Sequence, residues 1–376
     1  MDLRQAKEAA LLLDGLVLEG DFPRETEAPP GSILLSARDR MPLNSSTAIV
    51  GTWQGVWPGV RPAEDGAHAA ASGAPWIDTN TGFLRYARAA TAASVWIAVR
   101  PPAGQELAVG RYLHAIGDAA MTGSRWVLDL EPAFWERLFA RQDTALKDWA
   151  RILETLRFYE SHPEWRTMQS GGQLALVEDA ASGALLSGGV LDMIAVKHTP
   201  VRPVPPFRMS QGAFAPVRMA VNVDPESLTG EQKELLKRFT AAGGTLLNGP
   251  PGWKFPDLKP GQITLEKADL DRIEQIWKEM NSMIGRRNLG ARLFNVASML
   301  SNLIESGDGK RAVLHLVNYS DYDVENITVH LLGQFRSARL LRPGKPPLEL
   351  ERYAVEDGTG IDIASMGVVA AVELER

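Results

Sequence analysis

The chain has 376 residues, enough for two or three domains each with its own core, and a composition, 45% hydrophobic and 23% charged, ordinary for a globular protein. A net charge of −6 with no block of Lys or Arg argues against a nucleic-acid groove or an anionic membrane surface as partner. The absence of cysteine removes disulfides, thiolate metal sites and any Cys nucleophile, while leaving the redox compartment open.

Met1 to Asp14 reads as an amphipathic helix rather than a signal peptide, and it begins abruptly inside structured sequence. The chain as written suits the cytoplasm; a leader removed earlier would place it in the periplasm or outside the cell. No window approaches eighteen uninterrupted apolar residues, so no membrane-spanning helix is expected.

Six short apolar runs follow: Gly15–Gly20, Ile33–Ala37, Ile49–Trp53, Trp76–Asp78, Val95–Val99 and Trp126–Leu130. They are continuous rather than alternating, as strands buried on both faces should be. Helical spacing predicts helices over Thr81–Ala90, Val109–Met121 and Thr144–Tyr159, the last carrying Leu146, Trp149, Ile152, Leu153 and Leu156 at intervals of three and four. The alternation implies parallel α/β architecture and an α/β barrel-like domain over residues 1–170. The linkers from Gly20 to Ile33 and from Arg38 to Thr47 are too short for crossover helices, so the barrel is expected to be irregular or incomplete.

A second α/β unit, doubly wound and flavodoxin-like, is expected over 171–291. Its strands are Leu174–Glu178, Asp192–His198, Met219–Asp224 and Thr245–Asn248, and the proline-rich stretch Pro200–Pro206 reads as extended loop. Thr229–Gln232 fits a capping box that opens a helix with Leu235, Leu236 and Phe239 on its apolar stripe, and Gly243–Gly244 ends it. A long amphipathic helix spans Leu265–Ile284. From about Arg292 the period changes to two, and Leu293–Ile304, Ala312–Asn318, Ile327–Leu332, Ser337–Leu341 and Gly367–Leu374 read as antiparallel strands of a small β-sandwich over 292–376.

The run VNVDPESLTGEQKELLKRFTAAGGTLLNGP (Val221–Pro250) resembles the glutamine-amidotransferase-like domain of multidomain glycosidases, among them the trimerisation domains of bacterial β-galactosidases. RAVLHLVNYSDYDVENITVHLLG (Arg311–Gly333) resembles the β-sandwich that closes the same proteins. The first 170 residues, through GTWQGVWPG and PWIDTNTGFLRYARA, are similar to a degenerate α/β barrel of poorly characterised glycosidases. The resemblance implies a carbohydrate substrate and self-association as a homo-oligomer. It implies no cofactor, and in the Cys-free amidotransferase-like unit a structural rather than a catalytic role. The β-galactosidase acid/base normally sits in an Asn-Glu pair at a strand end, and no such dipeptide occurs in residues 1–170.

Active sites of parallel α/β folds form where strands end and loops begin. Glycoside hydrolysis needs two carboxyl groups flanking one bond, one of them kept protonated. Among acids at strand ends, Glu19 in LVLEGDF stands out because it lies in an apolar strand beside Gly20; Asp78 and the pair Asp129 and Glu131, spaced to share one face of a strand, are the other catalytic candidates. Trp53, Gln54, Trp57, Trp76, Asn80 and Arg100 are the candidate sugar contacts, since indole faces stack on C–H faces of sugars and polar strand ends bond hydroxyls. Each also has an ordinary reading, with tryptophans as core and acids paired to arginines. Six scattered histidines without an i, i+4 pair offer no metal motif, and the absence of G-x-S-x-G and of a P-loop Lys argues against esterase and nucleotide chemistry. The residues therefore point to a glycoside hydrolase using paired carboxylates on an oligo- or polysaccharide, or to a non-catalytic carbohydrate-binding or assembly protein on a degenerate barrel.

Overall fold

The structure is a computed structural model that describes residues 35–36, 41, 43, 49–52, 60–63, 66–69, 80–98, 101, 106–177, 198–223, 225–249, 267–285, 287–296, 299–320 and 322–376. Its first part runs β1 (Leu35–Ser36), β2 (Ile49–Thr52), the antiparallel pair β3 (Val60–Ala63) and β4 (Gly66–Ala69), α1 (Thr81–Ala90), β5 (Ser94–Ala98), α2 (Val109–Ala120), β6 (Arg125–Val127), α3 (Pro132–Phe139) and α4 (Asp143–Glu160). Strands β1, β2, β5 and β6 form one parallel sheet in that order, with α1 and α2 as crossovers. Among the described residues this sheet is open and four-stranded, so the closed barrel is not what they form. The expected strand Trp126–Leu130 stops at Val127, because Pro132 starts α3 five residues later and the chain must turn first.

The second part holds β7 (Gln169–Ser170), β8 (Leu174–Val177), β9 (Val201–Val204), α5 (Gln211–Phe214), β10 (Met219–Asn222), α6 (Gly230–Ala241), β11 (Thr245–Asn248) and α7 (Lys267–Ile284). The parallel sheet runs β11–β10–β8–β9, the order in which the first two strands are exchanged, as in doubly wound sheets. The stretch expected as loop, Pro200–Pro206, contains β9. Pro203 fits there because β9 is the edge strand and the missing N–H interrupts no second ladder. The capping box at Thr229 is formed: its hydroxyl accepts from the Gln232 amide while the Gln232 side chain accepts from the Thr229 amide. The expected strand over 192–197 and most of the apolar side chains of α7 lie outside the described residues.

The last part is a two-sheet sandwich. One sheet is ordered β12 (Ala291–Phe294), β15 (Val324–Leu332), β19 (Gly358–Met366), β18 (Arg352–Val355). The other is β17 (Lys345–Glu349), β16 (Ser337–Arg342), β20 (Val369–Glu375), β14 (Arg311–Asn318), β13 (Met299–Glu305), β7. The single strand expected over Leu293–Ile304 is therefore two, one in each sheet. Leu314, Leu316, Val372 and Leu374 fill the core between the sheets.

The opposite face of the six-stranded sheet is also buried. Val313, Val317, Leu300, Val369 and Ala371 belong to the same core as α1, α2 and α4. Helix α2 lies so close to this sheet that a Cβ on Gly117 would sit 2.8 Å from Val369 Cγ1 and 3.0 Å from Val317 Cγ2. The chain enters the doubly wound unit at Gly172 and leaves it at Gly290, and these two passages touch: a Cβ on Gly290 would meet the Gly172 Cα at 2.9 Å.

Hydrogen bonds cross the seam between helices and sandwich. Arg85 Nη2 donates to the Ser301 carbonyl at 2.7 Å, Asn302 Nδ2 to the Met121 carbonyl at 2.6 Å, and the Tyr319 hydroxyl to Asp118. His114 Nε2 bonds the Asn318 carbonyl at 2.7 Å, so it carries the proton and Nδ1 accepts from Arg111 at 3.3 Å. Burial, reinforced by Arg111, holds His114 down to about 3, so it stays neutral. The polar stripe Arg111, His114, Asp118 on α2 is thus buried against protein, with His114 and Asp118 bonded across the seam and Arg111 bonded to His114.

Candidate active site

The C-terminal end of the first parallel sheet is where a site is expected, and its best described group is Glu131. Glu131 precedes α3 and accepts through its carbonyl from the amides of Phe134 and Trp135 at 3.0 and 3.1 Å. Pro132 at the first helical position has no N–H to satisfy and fixes the entry of the helix. The Glu131 side chain makes no capping bond and is 1% exposed. The hydroxyl of Tyr112, from α2, donates to Oε2 and accepts from the Glu131 amide at 3.2 Å, so one residue orients both ends of Glu131. Arg137 Nη2 stands 3.6 Å from Oε1, while its Nη1 donates to Glu106 at 3.3 Å.

Burial raises the Glu131 carboxyl above its ordinary range; bonds from the Leu107 and Glu131 amides and the charge of Arg137 pull the other way. A carboxyl that keeps its proton beside a rigid hydroxyl can donate that proton to a leaving oxygen. The same carboxyl, ionised by Arg137, would be a structural ion pair.

Asp129 lies half-buried in the turn between β6 and α3. The backbone has left the strand by then, so the period-two argument that put Asp129 and Glu131 on one face does not apply. Asn80 is buried, at the N-terminus of α1, and its side chain makes no capping bond there. Glu19, Asp78, Trp53, Gln54, Trp57, Trp76 and Arg100 lie outside the described residues. Among the described tryptophans, Trp126, Trp149 and Trp165 are core, and half-buried Trp135 stacks on Phe139 with centroids 5.5 Å apart.

Sequence reasoning missed Tyr112 and Arg137. Arg137 lies six positions beyond Glu131 and Tyr112 nineteen before it, so no local spacing announces the contacts. Among the described residues one group could hold a metal ion: His162, Glu164 and Glu373, whose ligand atoms lie within 4.8 Å of one another. Arg339 already bonds Glu373 at 2.8 Å, which places a competing positive charge there.

No protein-family model matches the chain, and no curated protein matches it. Solved structures do. Alpha-L-fucosidase isoenzyme 2 from Paenibacillus thiaminolyticus aligns over 79% of this chain and 63% of its own, at TM-score 0.55 and 11% identity. The rhamnosidase from Novosphingobium sp. PP1Y aligns over 87% of this chain and 34% of its own, at TM-score 0.50 and 12% identity. A GH42 beta-galactosidase from G. stearothermophilus aligns over 75% and 60%, at TM-score 0.41 and 9% identity. The chain therefore spans under two thirds of the length of these structures. At such identities the likeness is one of fold: this chain shares with the fucosidase and the rhamnosidase a mixed α/β arrangement of several sheets.

Proposed function

We propose that the chain is, or belongs to, a glycosidase-like hydrolase acting on an oligo- or polysaccharide, with Glu131 as the group that holds and delivers a proton. One observation carries this reading: a buried carboxyl at the C-terminal end of a parallel sheet, oriented by Tyr112 and pushed by burial toward its protonated form. Its partner carboxylate is Asp129, or Glu19 or Asp78 as the sequence suggests. Residues 1–170 are then the catalytic unit, 171–291 an amidotransferase-like unit suited to self-association, and 292–376 the closing sandwich.

The ion pair of Glu131 with Arg137 favours a second reading, a carbohydrate-binding protein without turnover. The two separate in one assay that follows both release of reducing sugar from polysaccharides and retention on them. Turnover that falls by two to four orders of magnitude in Glu131→Gln supports the enzyme, that range being roughly what a general acid contributes. Retention on a polysaccharide with no turnover supports the binder and overturns the first reading.

A further inference from the structure

At the opposite end of the first parallel sheet, where α1 ends and β5 begins, a cavity of about 690 Å³ opens at the junction of α1, β9 and β13. That volume is within the range of small-molecule sites, which favour domain junctions. Arg85, Arg88, Arg166, Arg202 and Arg208 line it, and no carboxylate is among the described lining residues. This is a concentration of positive charge in a chain whose net charge is −6.

Two of these arginines are neutralised only in part. Glu160 bonds Arg166 at 2.8 Å but is shared with Arg125 at 2.7 Å; Glu305 bonds Arg202 at 2.9 Å but is shared with Arg376 at 2.6 Å. Among the described residues no acid pairs with Arg88 or Arg208. Arg88 donates to the carbonyls of Ala93 and Arg166, at 3.0 and 2.7 Å, and Arg208 donates twice to the Ala90 carbonyl, at 3.3 and 3.1 Å. A guanidinium has five N–H donors, and these bonds use two of them on each side chain. Neutral carbonyls fix both side chains without compensating their charge. Burial pulls Arg88 below its ordinary range, a cost that a bound anion would offset.

The volume exceeds what a bare carboxylate or phosphate fills and leaves room for the rest of a ligand. We propose that this cavity is a binding site for an anionic sugar of monosaccharide size, whose carboxylate or phosphate is held by Arg88 and Arg208. The site is independent of the Glu131 reading, because it lies at the other end of the sheet and invokes none of the same residues.

Titration calorimetry of the full chain with galacturonate, glucose 6-phosphate, galactose and inorganic phosphate tests it. The expected result is saturable binding of galacturonate or glucose 6-phosphate with Kd below about 1 mM, and at least about tenfold weaker binding of galactose and of inorganic phosphate. The stronger of the two anions identifies the group held. Arg208 is exposed on one side, so Arg208→Gln should fold and weaken the anionic sugar about tenfold, with Arg208→Lys recovering part of the loss. Should Arg208→Gln not fold, the affinity of the wild-type protein must still fall as salt is raised. No saturable binding of either sugar anion, binding insensitive to both Arg208→Gln and salt, or inorganic phosphate binding as tightly as the sugars would each overturn the proposal.

Discussion

Single residues in the seam divide into those whose bonds are made and those whose bonds are not. His114 is fully bonded, but His315, on β14 against Trp165 and Tyr159, is completely buried and neither ring nitrogen meets a partner among the described residues. Burial, with a smaller contribution from His162, brings His315 down from 6.5 to about 3. Its folded pKa lies below the unfolded one, so the unfolded chain takes up the proton first. The associated stability is fully present above about pH 6.5 and is lost as pH falls toward 3. Each such proton steepens the loss by up to about 1.4 kcal/mol per pH unit. His315→Leu removes a buried polar group that has no bond to lose, so stability at pH 7 should stay level or rise, and its acid dependence between pH 6.5 and 5 should flatten. Denaturant melts at several pH values check this; a loss above about 2 kcal/mol at pH 7 would show that the ring nitrogens hold something. His114→Leu should behave oppositely, costing about 1–3 kcal/mol by stranding Arg111 and the Asn318 carbonyl.

Elements were legible where a local signal coincides with burial. The α6 boundary follows from Thr-Gly-Glu-Gln, and β14, β15, β16 and β20 from apolar residues at period two, whereas β19, largely buried between β15 and β18, was not read as a strand. β17 and β18 were missed because each is an edge strand with little or nothing buried, so no hydrophobic period marks them, and Pro346 and Pro347 read as breakers. β9 is mostly buried, and was missed because the prolines of Pro200–Pro206 read as loop. The close approach of α2 to the sandwich depends on Gly117, and nothing in the sequence separates it from any helical glycine. Gly117→Ala would normally favour a helix by about 1 kcal/mol. Here it should instead cost about 1–3 kcal/mol, by pushing Val369 and Val317 off their positions. Thermal unfolding of the variant measures which term prevails. At the candidate site the acid at the strand end was legible, whereas its orientation by Tyr112 depends on tertiary placement of α2.

For the whole molecule, the sandwich is expected to be inseparable from the rest, because one face of its six-stranded sheet completes the core of α1, α2 and α4. Removing residues 287–376 would uncover that core and take from Asp118, Arg85 and His114 their bonds across the seam. The shortened chain should aggregate or bind a hydrophobic dye strongly; a monomer that melts cooperatively would contradict the continuous core. This rigid backing also fixes α2, and through Tyr112 it fixes Glu131. The most direct test of Glu131 as proton donor compares hydrolysis of two glycosides of the same sugar, one leaving as dinitrophenolate and one as an ordinary alcohol. Dinitrophenolate needs no proton to depart, so Glu131→Gln should cost it less than about tenfold in kcat, while the alkyl glycoside loses about two to four orders of magnitude. Equal losses on both substrates, or none on either, would contradict the account.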